Sequence, residues 1–184
     1  MNEGLISKRY AKALYEHAAD IGEEELLYHR MQILETVWRK MPDLQSSLRS
    51  PLVPVEVKIG LLKNATGKNA EQSYLDFVNL IVANHRLDAL FMITLSYQHI
   101  YRQKKHISVV HLISATRLPH KAVERIRLLT EYQTHSKVEF SDQIDSSLVG
   151  GFIFHLNDIR IDASVRGQLE SINRRLASIN KSIM

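Results

Sequence analysis

The hydrophobic period of this chain changes once, near residue 105, and this change constrains the fold more than any other feature. Before Lys104-Lys105, apolar residues recur every three to four positions, as they do on one face of an α-helix. After this pair, apolar and polar residues alternate in short runs, as they do in β-strands. The sequence therefore predicts two domains of different class, residues 1–105 and residues 106–184.

The first domain is predicted to be a six-helix bundle. Proline and glycine mark several of its helix ends: the second helix stops at Pro42, and the fourth begins at Pro54 and ends before Gly67. Apolar residues at helical spacing predict the others, and the connections between them are short. The predicted helices cover approximately residues 6–21, 26–41, 43–48, 54–63, 69–84 and 88–103.

The second domain is predicted to have the order β-α-β-β-β-α, which makes the whole chain an α+β protein. Residues 107–114 are rich in β-branched side chains, a helix opens at Pro119, and residues 138–140 form a short strand. Two alternating runs, 152–156 and 159–161, flank the two-residue hairpin turn Asn157-Asp158. Asp162 or Ser164 then caps a last helix.

Charge weighs against a nucleic-acid-binding role, and composition excludes several kinds of site. The net charge is +4, but each predicted domain contributes +2 from interspersed basic and acidic residues, whereas a nucleic-acid footprint is a concentrated basic stripe. Cysteine is absent, which excludes disulfides, thiolate nucleophiles and cysteine zinc sites. The start of the chain resembles neither a secretory signal nor a transit peptide, and no apolar run is long enough to span a membrane. Any membrane association is expected to be peripheral.

No catalytic, cofactor or metal site is predicted. The nine histidines contain no pair spaced like the ligands of a helical zinc motif. Gly60 and Gly67-Lys68 resemble a phosphate-binding loop only faintly, because Asn69 replaces the hydroxyl residue that would hold magnesium. Two alternatives to a protein that binds other proteins stay open at this point. One is a basic adaptor that binds RNA or DNA through the second domain, and the other is a phosphotransfer enzyme that uses Lys68.

Two helices carry more apolar surface than one core contact needs. On the first helix, apolar and aromatic residues sweep about 200°, estimated from 100° per residue. Either this helix is sandwiched between two neighbours, or its extra face, with Ala11, Tyr15 and Ala18, is a docking groove for a partner's amphipathic helix. The stretch 74–82 is apolar nearly all round, which indicates a central bundle helix or the other wall of that groove.

The last helix carries a narrow apolar seam with spacings of four, three, four and three residues, the pattern of a coiled coil. This seam suits either a long partner helix or packing on the domain's own sheet. Its members are Val165, Leu169, Ile172, Leu176 and Ile179.

An ordered set of motifs resembles the δ subunit of the F-type ATP synthase, whose mitochondrial counterpart is the oligomycin-sensitivity-conferring protein. Residues 9–15 read RYAKALY, residues 48–53 read LRSPLV, and residues 84–87 read NHRL. The most specific part joins DSSLVGGF at 145–152 to IDASVRGQL at 161–169. One departure is Ser146, where the family often has proline; its absence removes a rigid φ from the loop.

The resemblance implies a non-catalytic stator subunit that links the catalytic head to the peripheral stalk, so that rotor torque drives ATP synthesis. It implies that the helical domain binds N-terminal helices of the α subunits and that the second domain binds the b subunits, with no cofactor and no nucleic acid. Membrane association would be indirect, on the cytoplasmic face of the bacterial inner membrane. The residues predicted to bind partners are Tyr10, Ala11, Ala13, Leu14, Tyr15, Phe77 and Val78 for the head, and Val165, Leu169, Ile172 and Leu176 for the stalk.

Overall fold

The structure is a computed structural model that describes residues 3–67 and 70–170. It divides into two compact units, Met1–Lys105 and His106–Met184. The first unit is helical and the second contains one four-stranded sheet, so the predicted α+β class is confirmed.

Six α-helices and one 3-10 turn are present in the described part of the helical unit. Helix α3 follows α2 after a single residue, because Pro42 stops one helix and opens the next. Their bounds are α1 Glu3–Asp20, α2 Glu24–Lys40, α3 Pro42–Arg49, α4 Val55–Thr66, α5 Gln72–Ala83, the 3-10 turn Leu87–Ala89, and α6 Leu90–Lys104.

Two helices end in the same left-handed turn. After α1, Gly22 has φ +72°; its N–H donates to the carbonyl of Ala19, and the N–H of Glu23 donates to the carbonyl of Ala18. This pair of hydrogen bonds is the Schellman arrangement, which satisfies the last carbonyls of a helix. After α5, His85 takes the same role with φ 53°, so the NHRL motif marks a helix end.

The core of the helical unit contains large side chains from α2, α5 and α6. Large apolar side chains from all three helices are fully buried, and the rings of Tyr28 on α2 and Tyr101 on α6 stack with centroids 4.2 Å apart. Burial raises the pKa of Tyr74 on α5 to about 12, and its hydroxyl donates to the carbonyl of Leu62 at 3.0 Å. The buried Tyr74 side chain therefore keeps a hydrogen-bond partner for its hydroxyl at the contact between α4 and α5.

A nearly buried ion pair joins α2 to the start of α5. The guanidinium of Arg30 donates two hydrogen bonds of 2.8 Å to the carboxylate of Glu71, and a third to the carbonyl of Thr66 at the end of α4. The two side chains are only 10% and 15% exposed. Hydrogen bonds from Arg30 lower the pKa of Glu71, so the carboxylate is held in its charged form. One side chain thus fixes three helices.

The second unit is built on a sheet of strand order β2-β1-β3-β4. Strands β1 and β2 are parallel and connected through helix α7, whereas β1–β3 and β3–β4 are antiparallel. A 3-10 turn, Ser146–Leu148, precedes β3, and a helix begins at residue 165 and continues to the last described residue, 170. The bounds are β1 Ile107–Ser114, α7 His120–Thr134, β2 Lys137–Ile144, β3 Phe152–Leu156 and β4 Ile159–Asp162.

Strand β2 is much longer than the predicted strand at 138–140. It pairs with β1 in parallel register over eight residues, from Lys137 opposite Ile107 to Ile144 opposite Ser114. Its second half, from Ser141 onward, is exposed and mostly polar, so apolar alternation could not reveal it. Backbone pairing with the neighbouring strand, rather than side-chain burial, defines this half of β2.

Candidate partner-binding surfaces

Helix α1 uses one face for packing inside the helical unit. Its buried residues Ser7, Ala11, Leu14 and Ala18 are spaced by four, three and four, and the helix contacts α2, α5 and α6. The small side chains let the neighbouring helices approach closely. The first helix was predicted either to be sandwiched between neighbours or to form a docking groove. Packing between neighbouring helices accounts for the buried face of α1.

Four of the seven predicted head-binding residues lie in the core instead of on a surface. Ala11 and Val78 are completely buried, and Leu14 and Phe77 are 6% and 2% exposed. Helix α5 is apolar nearly all round because it packs against α1, α2 and α4. These four side chains stabilise the unit and leave a partner almost no side-chain area to contact, so packing within the unit accounts for their apolar character.

Tyr15 is half-buried on the side of α1 that faces α6. Its ring centroid lies 6.1 Å from that of Tyr97 and 6.5 Å from that of Tyr101. It points about 140° away from Tyr10 around the helix, as five residues at 100° require. Tyr15 therefore contributes to an aromatic cluster and does not share a surface with Tyr10 and Ala13.

A surface that does reach solvent lies along the contact between α1 and α5; we call it the α1/α5 surface. Ala13 is exposed, Tyr10 is half-buried, and His17 lies one turn further on the same face. The His17 Nε2 atom is 3.6 Å from an Asp76 carboxylate oxygen on α5. Leu80, one turn beyond Asp76, is 50% exposed. Apolar and small side chains beside a polar pair suit the apolar face of an amphipathic helix.

The residue prediction did not include His17, Asp76 and Leu80, which lie at this surface. The signal was present in the sequence, because Asp76 and Asn79 interrupt an otherwise apolar run and so mark the solvent side of α5. Leu80 follows this polar side, whereas Phe77 and Val78 lie on the buried side.

The last helix begins from a well-defined cap. The carboxylate of Asp162 accepts hydrogen bonds from both the N–H (3.1 Å) and the hydroxyl (2.6 Å) of Ser164. The Ser164 oxygen in turn accepts from the N–H of Gly167 at 3.0 Å, which is the geometry of an N-cap. These hydrogen bonds lower the pKa of Asp162. The predicted alternatives are therefore both used: Ser164 caps the helix and Asp162 orients Ser164.

The glycine pair of the DSSLVGGF motif packs closely against the backbone around this cap. Gly151 has φ +77°, and a Cβ there would lie 2.2 Å from the carbonyl oxygen of Ala163. At Gly150, a Cβ would lie 3.0 Å from the side chain of Val165. Backbone hydrogen bonds from Ala163 to Phe152 and from Val165 to Gly150 close the contact. The motif therefore has a structural role, because it lets the start of the last helix lie against the beginning of β3.

Two residues of the predicted stalk seam are exposed where the last helix is described. Val165 is 40% and Leu169 is 55% exposed, and their spacing of four places them on one helix face, the final-helix surface. Ile172, Leu176 and Ile179 lie outside the described residues.

The second unit also exposes apolar side chains that the residue prediction did not include. On α7, Leu128, Leu129 and Tyr132 are all more than half exposed, and on the edge strand β4 so are Ile159 and Ile161. The alternation of Ile159 and Ile161 around Arg160 was visible in the sequence. Alternation alone, however, does not tell which face of the sheet is exposed to solvent. Exposed apolar residues are ordinary on a protein surface and mark a binding site only where they form a contiguous patch.

Within residues 3–67 and 70–170, no group of three or more histidine, aspartate or glutamate side chains is arranged to hold a metal ion. Among these same residues, no helix has both the length and the apolar character needed to cross a membrane. Lys68 and Asn69, the residues of the faint phosphate-loop resemblance, lie outside the described ranges.

The chain is a helical unit followed by a small unit that contains one four-stranded sheet. The model of the ATP synthase delta (OSCP) subunit family matches residues 6–176, and the chain belongs to that family. It is therefore a non-catalytic subunit of the ATP synthase complex, with a part in ATP synthesis and ion transport.

Bacterial relatives match along nearly the whole chain. ATP synthase subunit delta of Bacteroides thetaiotaomicron is 37% identical over 186 residues, covering 100% of both chains. The subunit delta of Rickettsia massiliae is 30% identical over 182 residues, covering 98% of both. A chain in the cryo-EM structure of the Toxoplasma gondii mitochondrial ATP synthase hexamer has the same fold, with a TM-score of 0.73, 18% identity, and coverage of 96% of this chain and 98% of that one.

Proposed function

We propose that this protein is a stator connector, which holds the catalytic head of the ATP synthase to its peripheral stalk. The observation that carries the proposal is the family match, which extends from α1 across the sheet unit to residue 176 and so includes both units. Exposed apolar surface on each unit supports two separate contacts. A connector with one contact on each partner resists rotation of the head without any catalytic group of its own.

The α1/α5 surface is proposed as the head contact, and its partner is an N-terminal helix of an α subunit. Ala13 and Leu80 provide apolar area that such a helix would cover, while His17 and Asp76 provide a polar edge that sets its orientation. Burial of apolar area contributes about 25 cal/mol per Å² before the entropic costs of association are subtracted. The small side chain of Ala13 lets the partner backbone approach closely.

The final-helix surface is proposed as the stalk contact, and its partners are the b subunits. Val165 and Leu169 begin a seam of coiled-coil spacing, which suits packing against a long partner helix. Association with the membrane would then be indirect, through the b subunits, on the cytoplasmic face of the bacterial inner membrane.

The substitution Ala13→Glu tests the head contact. It places a charge at the centre of the α1/α5 surface, so we expect the affinity of the full chain for the isolated catalytic head to fall by at least about tenfold, since a buried unpaired charge costs several times RT. Helical circular dichroism should stay unchanged, because Ala13 is exposed and glutamate is a good helix former. Isothermal titration calorimetry measures the affinity.

Ala19→Glu is the matched control. Ala19 is also exposed on α1 but lies about 120° around the helix from Ala13, outside the α1/α5 surface. The control should bind the head as the unmodified chain does. Equal affinities for the Ala13→Glu and Ala19→Glu variants would rule out the α1/α5 surface as the head contact.

Leu169→Glu tests the stalk contact without removing the cap that holds the last helix. We expect binding to a soluble b fragment to fall about tenfold or more, because the substitution replaces an apolar residue of the seam with a charge. Gln168→Glu, at the exposed neighbouring position, is the control and should bind normally. Pull-down with the b fragment reads out both variants, and a Leu169→Glu variant that is retained as well as the control would move the contact elsewhere.

A further inference from the structure

Val149, in the DSSLVGGF motif, has a backbone conformation that is unusual for its residue type. Its φ is +65° and its ψ is −39°, whereas a left-handed residue ordinarily has a ψ of about +30 to +60°. The other non-glycine residues with positive φ in the described ranges are three histidines and one asparagine, which tolerate this region better than a β-branched residue does. The backbone at Val149 is therefore strained.

The surrounding structure imposes this conformation. Both ends of the segment 145–151 are held by backbone hydrogen bonds to residues 114 and 115, at the end of β1, with lengths of 2.9 and 3.3 Å. Between these ends, the side chain of Leu148 is buried, and the N–H of Val149 donates to the carbonyl of Ser146 at 3.2 Å. Such contacts keep a residue at backbone angles that it would not adopt by itself.

The valine side chain contributes little to packing within its own unit, because it is 76% exposed. Glycine adopts positive φ without a steric cost, so the folded unit by itself gains little from a side chain at this position. Backbone strain of this kind clusters at binding sites, where an outside contact offsets it. A strained residue that holds an apolar side chain in solvent therefore indicates a contact with another molecule.

Val149 adjoins the final-helix surface. The next residue, Gly150, accepts a hydrogen bond of 3.0 Å from the N–H of Val165, and a Cβ at Gly150 would lie 3.0 Å from the Val165 side chain. Val149 is one residue away from this close contact. Its exposed side chain therefore lies near the start of the surface on which Val165 and Leu169 are exposed.

We propose that Val149 is a further binding residue of the stalk contact, and that a b-subunit helix packed on Val165 and Leu169 also covers its isopropyl group. This inference rests on the proposed stalk contact and adds a residue to it. Burial of the isopropyl group in the complex offsets the strain that the free chain carries. Stability of the free chain and affinity for the b subunits should therefore change in opposite directions when the side chain is removed.

The substitution Val149→Gly, made in the full chain, tests both directions. We expect hydrogen exchange in β3 and β4 to slow by at least about threefold, because glycine relieves the strain. We expect the affinity for a soluble b fragment to fall by at least about threefold, because the apolar contact is lost. Isothermal titration calorimetry measures the affinity. A purely structural role for the valine predicts no loss of affinity.

Val149→Thr separates strain from contact. Threonine keeps the β-branched shape, and with it the strain, but replaces a methyl group with a hydroxyl. This variant should bind the b fragment more weakly without slower exchange in β3 and β4. Val57→Thr is the matched control, since it makes the same change at a valine of α4 that is 49% exposed. The control should bind the b fragment as the unmodified chain does.

The comparison with Leu169→Glu distinguishes this inference from the proposed stalk contact. If Leu169→Glu loses affinity and Val149→Gly does not, the role of Val149 is overturned and the stalk contact stands. If both variants bind as the unmodified chain does, both proposals are overturned. Exchange in β3 and β4 that is no slower in Val149→Gly would show that the valine is not strained, which also overturns the inference.

Discussion

Gly151→Ala is expected to destabilise the α/β unit by about 3 kcal/mol or more, because it combines backbone strain with a steric clash. The residue has φ +77°, and its new Cβ would lie 2.2 Å from the carbonyl oxygen of Ala163. That carbonyl belongs to the backbone between β4 and the last helix, so no side-chain rotation relieves the clash. The hairpin or the helix start has to move, and the hydrogen bond from Ala163 to Phe152 is lost with it.

Substitutions at two other glycines separate the contribution of backbone strain from that of the steric clash. Gly22 has φ +72° but no atom within 4 Å of the place that an added Cβ would take, so Gly22→Ala measures the cost of the left-handed backbone alone, about 1 kcal/mol. Gly60 lies inside α4 with similarly open space, and Gly60→Ala should stabilise the helix by about 0.5–1 kcal/mol.

Hydrogen exchange read out segment by segment is the appropriate measurement, because the two units need not unfold together. We expect Gly151→Ala to accelerate exchange in β3 and β4 while α2 and α6 keep their protection. Exchange in β3 and β4 no faster than in the Gly22→Ala variant would show that the contact between Gly151 and Ala163 is not tight in solution.

Arg30→Met is expected to cost the helical unit about 3–5 kcal/mol, the usual range when one partner of a buried ion pair is removed. The substitution leaves the carboxylate of Glu71 and the carbonyl of Thr66 without the guanidinium that now binds them. Arg39→Met, in the same helix, is the control: Arg39 is 61% exposed and pairs with Glu35 at 2.9 Å, so its loss should cost about 1 kcal/mol or less.

The double variant with Arg30→Met and Glu71→Leu identifies the cause of this loss. If the penalty comes from an unpaired carboxylate, the double variant should regain most of the stability, since both charges are then replaced by apolar groups. Urea unfolding followed by circular dichroism gives the free energies. A double variant no more stable than Arg30→Met alone would show that hydrogen bonds to the α4 end, rather than the buried charge, dominate.

The pH dependence of Arg30→Met has a definite sign. Because Arg30 lowers the pKa of Glu71, the pair contributes its full stability above the ordinary pKa of glutamate and loses it as the pH falls through the lowered pKa. The difference between the unmodified chain and Arg30→Met should therefore be largest near neutral pH and shrink in acid.

The residues that mark helix ends explain why the helical unit was predictable. Pro42, Pro54 and Gly67 restrict or permit particular backbone angles, and the structure uses each where a helix begins or ends. The same holds for the hairpin at Asn157-Asp158 and the cap at Ser164. These are local constraints, contained within a few residues, and therefore visible in a single sequence.

Contacts between distant residues explain what was missed. The partners Arg30 and Glu71 are 41 positions apart, and nothing near either residue identifies the other. Periodicity shows that α1 and α5 are apolar on several sides, but the division between core and surface depends on which helices pack against them. Ala11 and Ala13 are two residues apart in one motif, yet one is fully buried and the other is exposed.

The proposed role of this chain is to join the catalytic head to the peripheral stalk, and sedimentation velocity tests that role directly. The sample contains the isolated head, a soluble fragment of the b subunits, and the full chain. We expect a single fast species containing all three components, which disappears when the chain is omitted or carries Ala13→Glu. Head and stalk fragments that sediment separately in the presence of the unmodified chain would show that it does not connect them.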